Sequence, residues 1–351
     1  MRKAYLVLQD GTVFEGKGFG AACGNIGELV FNTAVVGYIE NLTDPAYYGQ
    51  ILVQTFPMIG NYGMIEADIQ GKCCVKGYVV REWCEKPSNF RCEYDLDTFL
   101  KNQGVPGIYG VDTRELTRIL RDKGTMNAMI TDTVPQDVAP IKAYTISGGV
   151  EAVTCNEIAT YPAEKEQYKV VMMDFGGKRY LIDELNKVGC TVTVVPASTK
   201  ADEVLAMNPH GVVLSAGPGN PCENTAIITE IGKLFGKKPI LAIGLGHQML
   251  ALSQGGQVIK LPHGHRGGQP AKMIGVDATY ITAQNHGYAV VSDTVENGVI
   301  TFYNLNDNTC EGLEYKEAKA ISVQFNPEST SGPRSTALIF DRFVNLMGGN
   351  N

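Results

Sequence analysis

From residue 168 onward, short apolar runs alternate with helical patterns. Tyr168–Asp174 reads as a strand, Lys178–Lys187 as a helix, Thr191–Val195 as a strand, Ala201–Met207 as a helix, Gly211–Ser215 as a strand and Asn224–Leu234 as a helix. Strands separated by helices predict a parallel sheet covered on both faces, with a site at the carboxyl edge of its strands. The next run, Pro239–Ile243, is apolar and ends abruptly at Gly244-Leu245-Gly246, and Leu245, Met249, Leu250 and Leu252 then give a helical apolar face. This unit is strand, elbow, helix. The return half, Gln257 to Val323, is more β-like, and Ser335–Met347 closes the chain as an amphipathic helix.

The rhythm before about Ile130 differs. Strand-type runs at Ala4–Leu8, Gly27–Asn32, Ile51–Phe56 and Gly77–Arg81 alternate with Gly-rich turns, which predicts a β-rich first domain. Its clearest helix is Asp112–Lys123: Asp112 and Glu115 make a capping signal, Leu116, Ile119 and Leu120 share a face, and Gly124 stops it. Between Asp132 and Glu166 periodicity fades. We place the first domain at 1–150, a linker at 151–167 centred on Glu157–Gln167, and an α/β domain with a mostly parallel sheet at 168–351.

Length and composition fit that division. A chain of 351 residues suggests about two domains, and 44% apolar with 19% charged residues describes a soluble globular protein. A formal charge of −7 gives no electrostatic reason to expect nucleic acid or an anionic membrane as partner. The basic start MRKAYLVLQDGTVF breaks at Gln9-Asp10-Gly11, which favours a strand and turn over a signal peptide, and no apolar run approaches bilayer length. The nine cysteines are odd in number and form no CxxC pair, which suits reduced thiols in a cytoplasmic protein. There is no G-x-x-x-x-G-K-[ST] phosphate loop, so no cofactor is expected on this chain.

Candidate chemistry gathers around the elbow. In hydrolytic and acyl-transfer α/β folds this turn lifts a Ser or Cys off the sheet beside helix N–H groups that hold an oxyanion. Here the apex is Gly244, which by itself reads as a backbone hinge. Ser215–Pro221 (SAGPGNP) reads as a turn, or as a loop whose Gly217 and Gly219 expose backbone N–H groups to a ligand. Ala283–Val290 (AQNHGYAV) reads as a hairpin turn, and His263–Pro270 (HGHRGGQP) as an exposed polar loop whose two histidines lack further metal ligands. Phe31–Gln50 and Thr55–Gly63 read as surface loops.

The elbow resembles the nucleophile turn of class I glutamine amidotransferases, G-x-C-x-G-H-Q, with Ala242 for the first Gly and Gly244 where the thiol belongs. Phe31–Gln50, Thr55–Gly63 and Gly110–Gly124 resemble the N-terminal domain of carbamoyl phosphate synthetase small subunits, which hydrolyse glutamine for a large synthetase partner. The resemblance implies that Gly217, Gly219, Leu245, Gln248, Asn285, Gly287 and Tyr288 surround glutamine. It also implies that Ser322–Ser329 (SVQFNPES) carries the base and its orienting carboxylate. There the family's His-Pro-Glu is Asn326-Pro327-Glu328, and Ala46 stands where the family has a glutamine-contacting Ser.

Asn hydrogen-bonds but exchanges no proton near neutral pH, which leaves Glu328 without a base to orient; on its residues alone it is a solvated loop carboxylate. Loss of such a nucleophile or base removes about 10⁴–10⁶ in kcat. Three departures exceed one engineered change, so a natural loss of glutaminase activity is expected, with ammonia as nitrogen donor or the pocket kept for glutamine binding. As replacement nucleophiles, His247 lies on the wrong part of the helix and Cys222 has no evident base.

Overall fold

The computed structural model describes residues 2–22, 24–328 and 335–348; Cys23 and Ser329 lie outside the described residues. The chain divides into two compact units, Met1–Ile146 and Ser147–Asn351.

The first unit is a closed barrel of seven strands: β1 (Arg2–Leu8), β2 (Val13–Gly20), β3 (Asn25–Asn32), β4 (Gln50–Ile59), β5 (Gly77–Trp83), β6 (Pro106–Tyr109) and β7 (Met126–Thr131). The order is β1-β2-β6-β5-β4-β3-β7, and β7 pairs antiparallel with β1 to close it. Closure leaves no unpaired edge among these strands. Strand alternation sorts the core: Ile51, Val53 and Val79 pack with Leu116 and Leu120 of helix Thr113–Lys123, whereas Leu52, Tyr78 and Val80 pack with Tyr38, Leu42 and Phe99. Helix Thr113–Lys123 starts as its sequence predicts, with Asp112 Oδ1 accepting from the N–H groups of Arg114 and Glu115 at 3.1 and 3.0 Å.

The two segments expected as surface loops are not loops throughout. Tyr38–Leu42 is a short helix whose Tyr38, Ile39 and Leu42 are buried, and Thr55–Ile59 continues β4. Their turn residues mask core side chains: Tyr47 is fully buried, and its hydroxyl accepts from Asn32 Nδ2 at 2.8 Å.

The second unit carries a ten-stranded sheet. Its strands are β8 (Ala159–Tyr161), β9 (Tyr168–Asp174), β10 (Cys190–Pro196), β11 (Gly211–Leu214), β12 (Ile240–Ile243), β13 (Gln257–Met273), β14 (Thr279–Val291), β15 (Val299–Asn304), β16 (Cys310–Tyr315) and β17 (Ala320–Val323). The order is β14-β13-β15-β16-β17-β12-β11-β9-β10-β8, with the run from β17 to β10 parallel. Val171 and Met173 of β9 join one core cluster and Val170 and Met172 the other, because the sheet is covered on both faces. The stretch expected as linker contains β8, which pairs with β10, and the end of helix Gly149–Val153. Among the described residues no helix is long and apolar enough to cross a membrane.

Candidate active site

β12 ends at the elbow. Gly244 has φ 55° and ψ −111°, a left-handed conformation that costs a side chain strain, and its N–H donates to Val323 O of β17 at 2.9 Å. Helix Leu245–Ser253 begins at the next residue, so its first peptide N–H groups lie beside the apex. A Cβ added to Gly244 would stand 3.1 Å from Ala216 Cβ and 3.9 Å from Gln324 O. The elbow therefore faces the loop after β11 and the loop after β17.

The loop after β11 is held from beneath. Ser215 Oγ accepts from Phe175 N–H at 2.8 Å and donates to Ala216 O at 2.9 Å, and Ser215 O accepts from Gly246 N–H at 3.0 Å. Gly217 packs so closely that an added Cβ would meet Phe175 O and, at 2.9 Å, Leu245 Cδ2; only glycine fits. Gly219 is left-handed, φ 87°, with open space where its side chain would be.

After β17, Asn326 is buried and its N–H donates to Ala283 O at 2.9 Å, an isolated bridge that fixes it against β14. Gln248 lies one turn along the elbow helix. Its Nε2 donates to Tyr288 O at 2.8 Å and to Gln324 Oε1 at 3.0 Å, which ties the helix to β14 and to the loop carrying Asn326. Asn285, Gly287 and Tyr288 do not form a hairpin turn: they lie inside β14, where Asn285 registers opposite Arg266 of β13. Ala46 belongs to the first unit, in a single turn whose N–H is accepted by Asp44 Oδ1 at 2.9 Å.

Glu328 is not solvated. Its Oε1 lies 2.8 Å from Lys178 Nζ, with side chains 1% and 2% exposed. Sequence reasoning missed Lys178. Its signal was a lysine closing Asp-Phe-Gly-Gly-Lys directly after an apolar strand, where Asp174 Oδ1 accepts from the N–H groups of Gly176 and Gly177 at 3.0 and 2.8 Å and shapes the turn. A buried pair of this kind costs desolvation on both sides, so it holds geometry more than it adds stability.

His247 faces the core. It is fully buried, with Nδ1 2.8 Å from Ser322 Oγ, and burial pulls its pKa down to about 3. Cys222 is exposed in a single turn, its N–H bound to Asn220 Oδ1 at 3.1 Å.

The stretch expected as an exposed polar loop, His263–Pro270, lies within β13, and His265 is buried. Ligand-capable atoms of His265, His286 and Glu311 fall within 4.8 Å of one another, and among the described residues this is the group that could hold a metal. The imidazole nitrogens of both histidines already have hydrogen-bond partners. Gln284 Oε1 lies 2.9 Å from His286 Nε2 and 3.2 Å from His265 Nδ1, and Asp307 Oδ2 lies 2.9 Å from His265 Nε2. Burial pulls the pKa of His265 down, but hydrogen bonds and charge from Glu311 and Asp307 outweigh it and leave the pKa raised. Burial, with the charge of His265, holds His286 well below the ordinary histidine value.

Comparison with known proteins accounts for both units. Residues 6–130 match the family described as carbamoyl-phosphate synthase small chain, CPSase domain, and residues 171–346 match glutamine amidotransferase class-I. A carbamoyl phosphate synthase small chain of Clostridium perfringens is 47% identical over 347 residues, covering 97% of this chain and 99% of the relative. The chain belongs to the carbamoyl phosphate synthase small-chain family. Small chains of Clostridium acetobutylicum and Syntrophotalea carbinolica are each 45% identical, covering 98% and 99% of this chain and 100% and 98% of their own lengths. The small-chain barrel and the class I amidotransferase domain are thus both present, and the elbow, Asn326 and Glu328 fall within the second match.

Proposed function

We propose that this chain acts as a small subunit docked on a large carbamoyl phosphate synthetase subunit in the cytoplasm, and that it does not itself hydrolyse glutamine. The observation that carries this reading is Gly244 at the apex of an otherwise complete elbow. Thioester chemistry needs a nucleophile there, and glycine offers only hydrogen. Asn326 compounds the loss, because an amide cannot take up the thiol proton. The partner would bind ATP and make carbamoyl phosphate, for arginine and pyrimidine synthesis, from bicarbonate and free ammonia. The test is a paired assay of the chain reconstituted with its large subunit. Synthesis supported by ammonia and not by glutamine is expected, and equal rates with both donors would refute it.

A second reading is that the chain is a glutamine-binding regulatory pseudoenzyme. The observation favouring it is that the framework around the elbow remains formed, from the close-packed Gly217 to the Gln248 bonds with Tyr288 and Gln324. Calorimetric titration with glutamine tests it, and no heat together with no thermal shift would refute it.

A further inference from the structure

The elbow follows the carboxyl end of β12; the opposite edge of the same parallel strands holds a cavity of about 610 Å³. Lys169 at the start of β9, His210 before β11, Lys237 and Lys238 before β12 and Lys319 before β17 all line it. No acidic residue is among the described residues lining it, although the whole chain carries a formal charge of −7. The positive charge is therefore concentrated there against the average of the molecule.

We propose that this cavity binds a phosphorylated small molecule of nucleotide size, a reading independent of the chemistry at the elbow. Four lysines from three strand starts line it, and no carboxylate among the described lining residues neutralises them. Glu166 reaches only Lys169, at 3.7 Å, and Lys238 Nζ donates to the neutral Asn208 Oδ1 at 3.4 Å. Lysines so placed act as point charges for phosphate oxygens. His210 is set up as a further donor: its Nδ1 accepts from Lys169 N–H at 2.9 Å, which leaves Nε2 to carry the ring proton. One wall is apolar and soft, formed by Met207, Leu346 and Met347, and suits a flat base better than a second anion. The volume falls in the range of small-molecule sites, about 300–1,000 Å³. Two of the lining residues, Asn208 and Lys319, hold left-handed backbone, φ 47° and 51°; these are among three such non-glycine residues described. At Lys319 a long charged side chain occupies a position where glycine would be less strained.

The experiment is calorimetric titration of the full chain at low ionic strength with ATP and, separately, inorganic pyrophosphate. One-to-one saturable binding of ATP, tighter than that of pyrophosphate, is expected. The double variant Lys238→Gln/Lys319→Gln should weaken ATP binding about tenfold or more, with the unfolding midpoint little changed. Lys169→Gln/Lys237→Gln provides the same test should the first variant fold poorly. Absence of saturable binding, or affinity unchanged in both variants, would overturn the site. Pyrophosphate binding as tightly as ATP would overturn its assignment to a nucleotide-sized ligand.

Discussion

Replacing Gly244 by Cys would put a sulfur at the apex of the elbow at a defined cost. At φ 55° and ψ −111° a side chain is strained by about 1–3 kcal/mol, and the new Cβ would press Ala216 Cβ at 3.1 Å, a contact that asks for a shift of only tenths of an ångström. Urea unfolding of G244C should thus show a loss within that range, with the fold retained. Activity should not follow from the thiol alone. A free Cys has a pKa near 8.5, so only a few per cent is thiolate at pH 7, and Asn326 cannot accept the proton. An electrophilic glutamine analogue should label G244C slowly at pH 7 and faster toward pH 9. Adding Asn326→His places an imidazole on the segment bridged to Ala283, two residues from Glu328. G244C/N326H should release glutamate from glutamine about 10²–10⁴ times faster than G244C. A double variant that folds and binds glutamine, yet hydrolyses it no faster than G244C, would refute the claim that the surrounding site is intact.

Other perturbations probe the supports of the site. Lys178→Met strands Glu328 in the interior and should cost about 3–5 kcal/mol in urea unfolding, whereas Lys178→Met/Glu328→Leu should recover much of that, because the pair's desolvation is then relieved. His265 has a folded pKa raised above its unfolded value, so its contribution to stability is complete below about pH 6.5 and is lost as pH rises through the folded pKa. His265→Gln should flatten the alkaline side of the stability profile, and a slope unchanged by the substitution would count against the charged network. His247 behaves oppositely: with its pKa pulled down to about 3, stability should fall as pH drops from about 6.5 toward 3, at roughly 1.4 kcal/mol per pH unit. Chemical unfolding across that range measures the slope.

Much of the second unit is legible in the sequence because strands such as β9 and β12, buried on both faces, leave uninterrupted apolar runs. The elbow is legible for a related reason, since a Gly between an apolar strand and a helical pattern leaves few conformations. Phe31–Gln50 is less so: its turn residues are interleaved with Tyr38, Leu42 and Tyr47, whose burial depends on strands distant in the chain. β13 and β14 mislead differently. His265, Gln284 and His286 look solvated because they are polar, but they bury by satisfying one another, and polarity along a chain does not reveal partners. The same holds for Lys178 and Glu328, each of which suggests an exposed charge until the fold brings them together.

The central claim is that the apex of the elbow offers no nucleophile, and incubation of the purified chain with radiolabelled glutamine, with and without its large subunit, tests it most directly. The account predicts no glutamate release above that in buffer and no γ-glutamyl thioester trapped by acid quench. Turnover, or label retained covalently on the polypeptide, would contradict it.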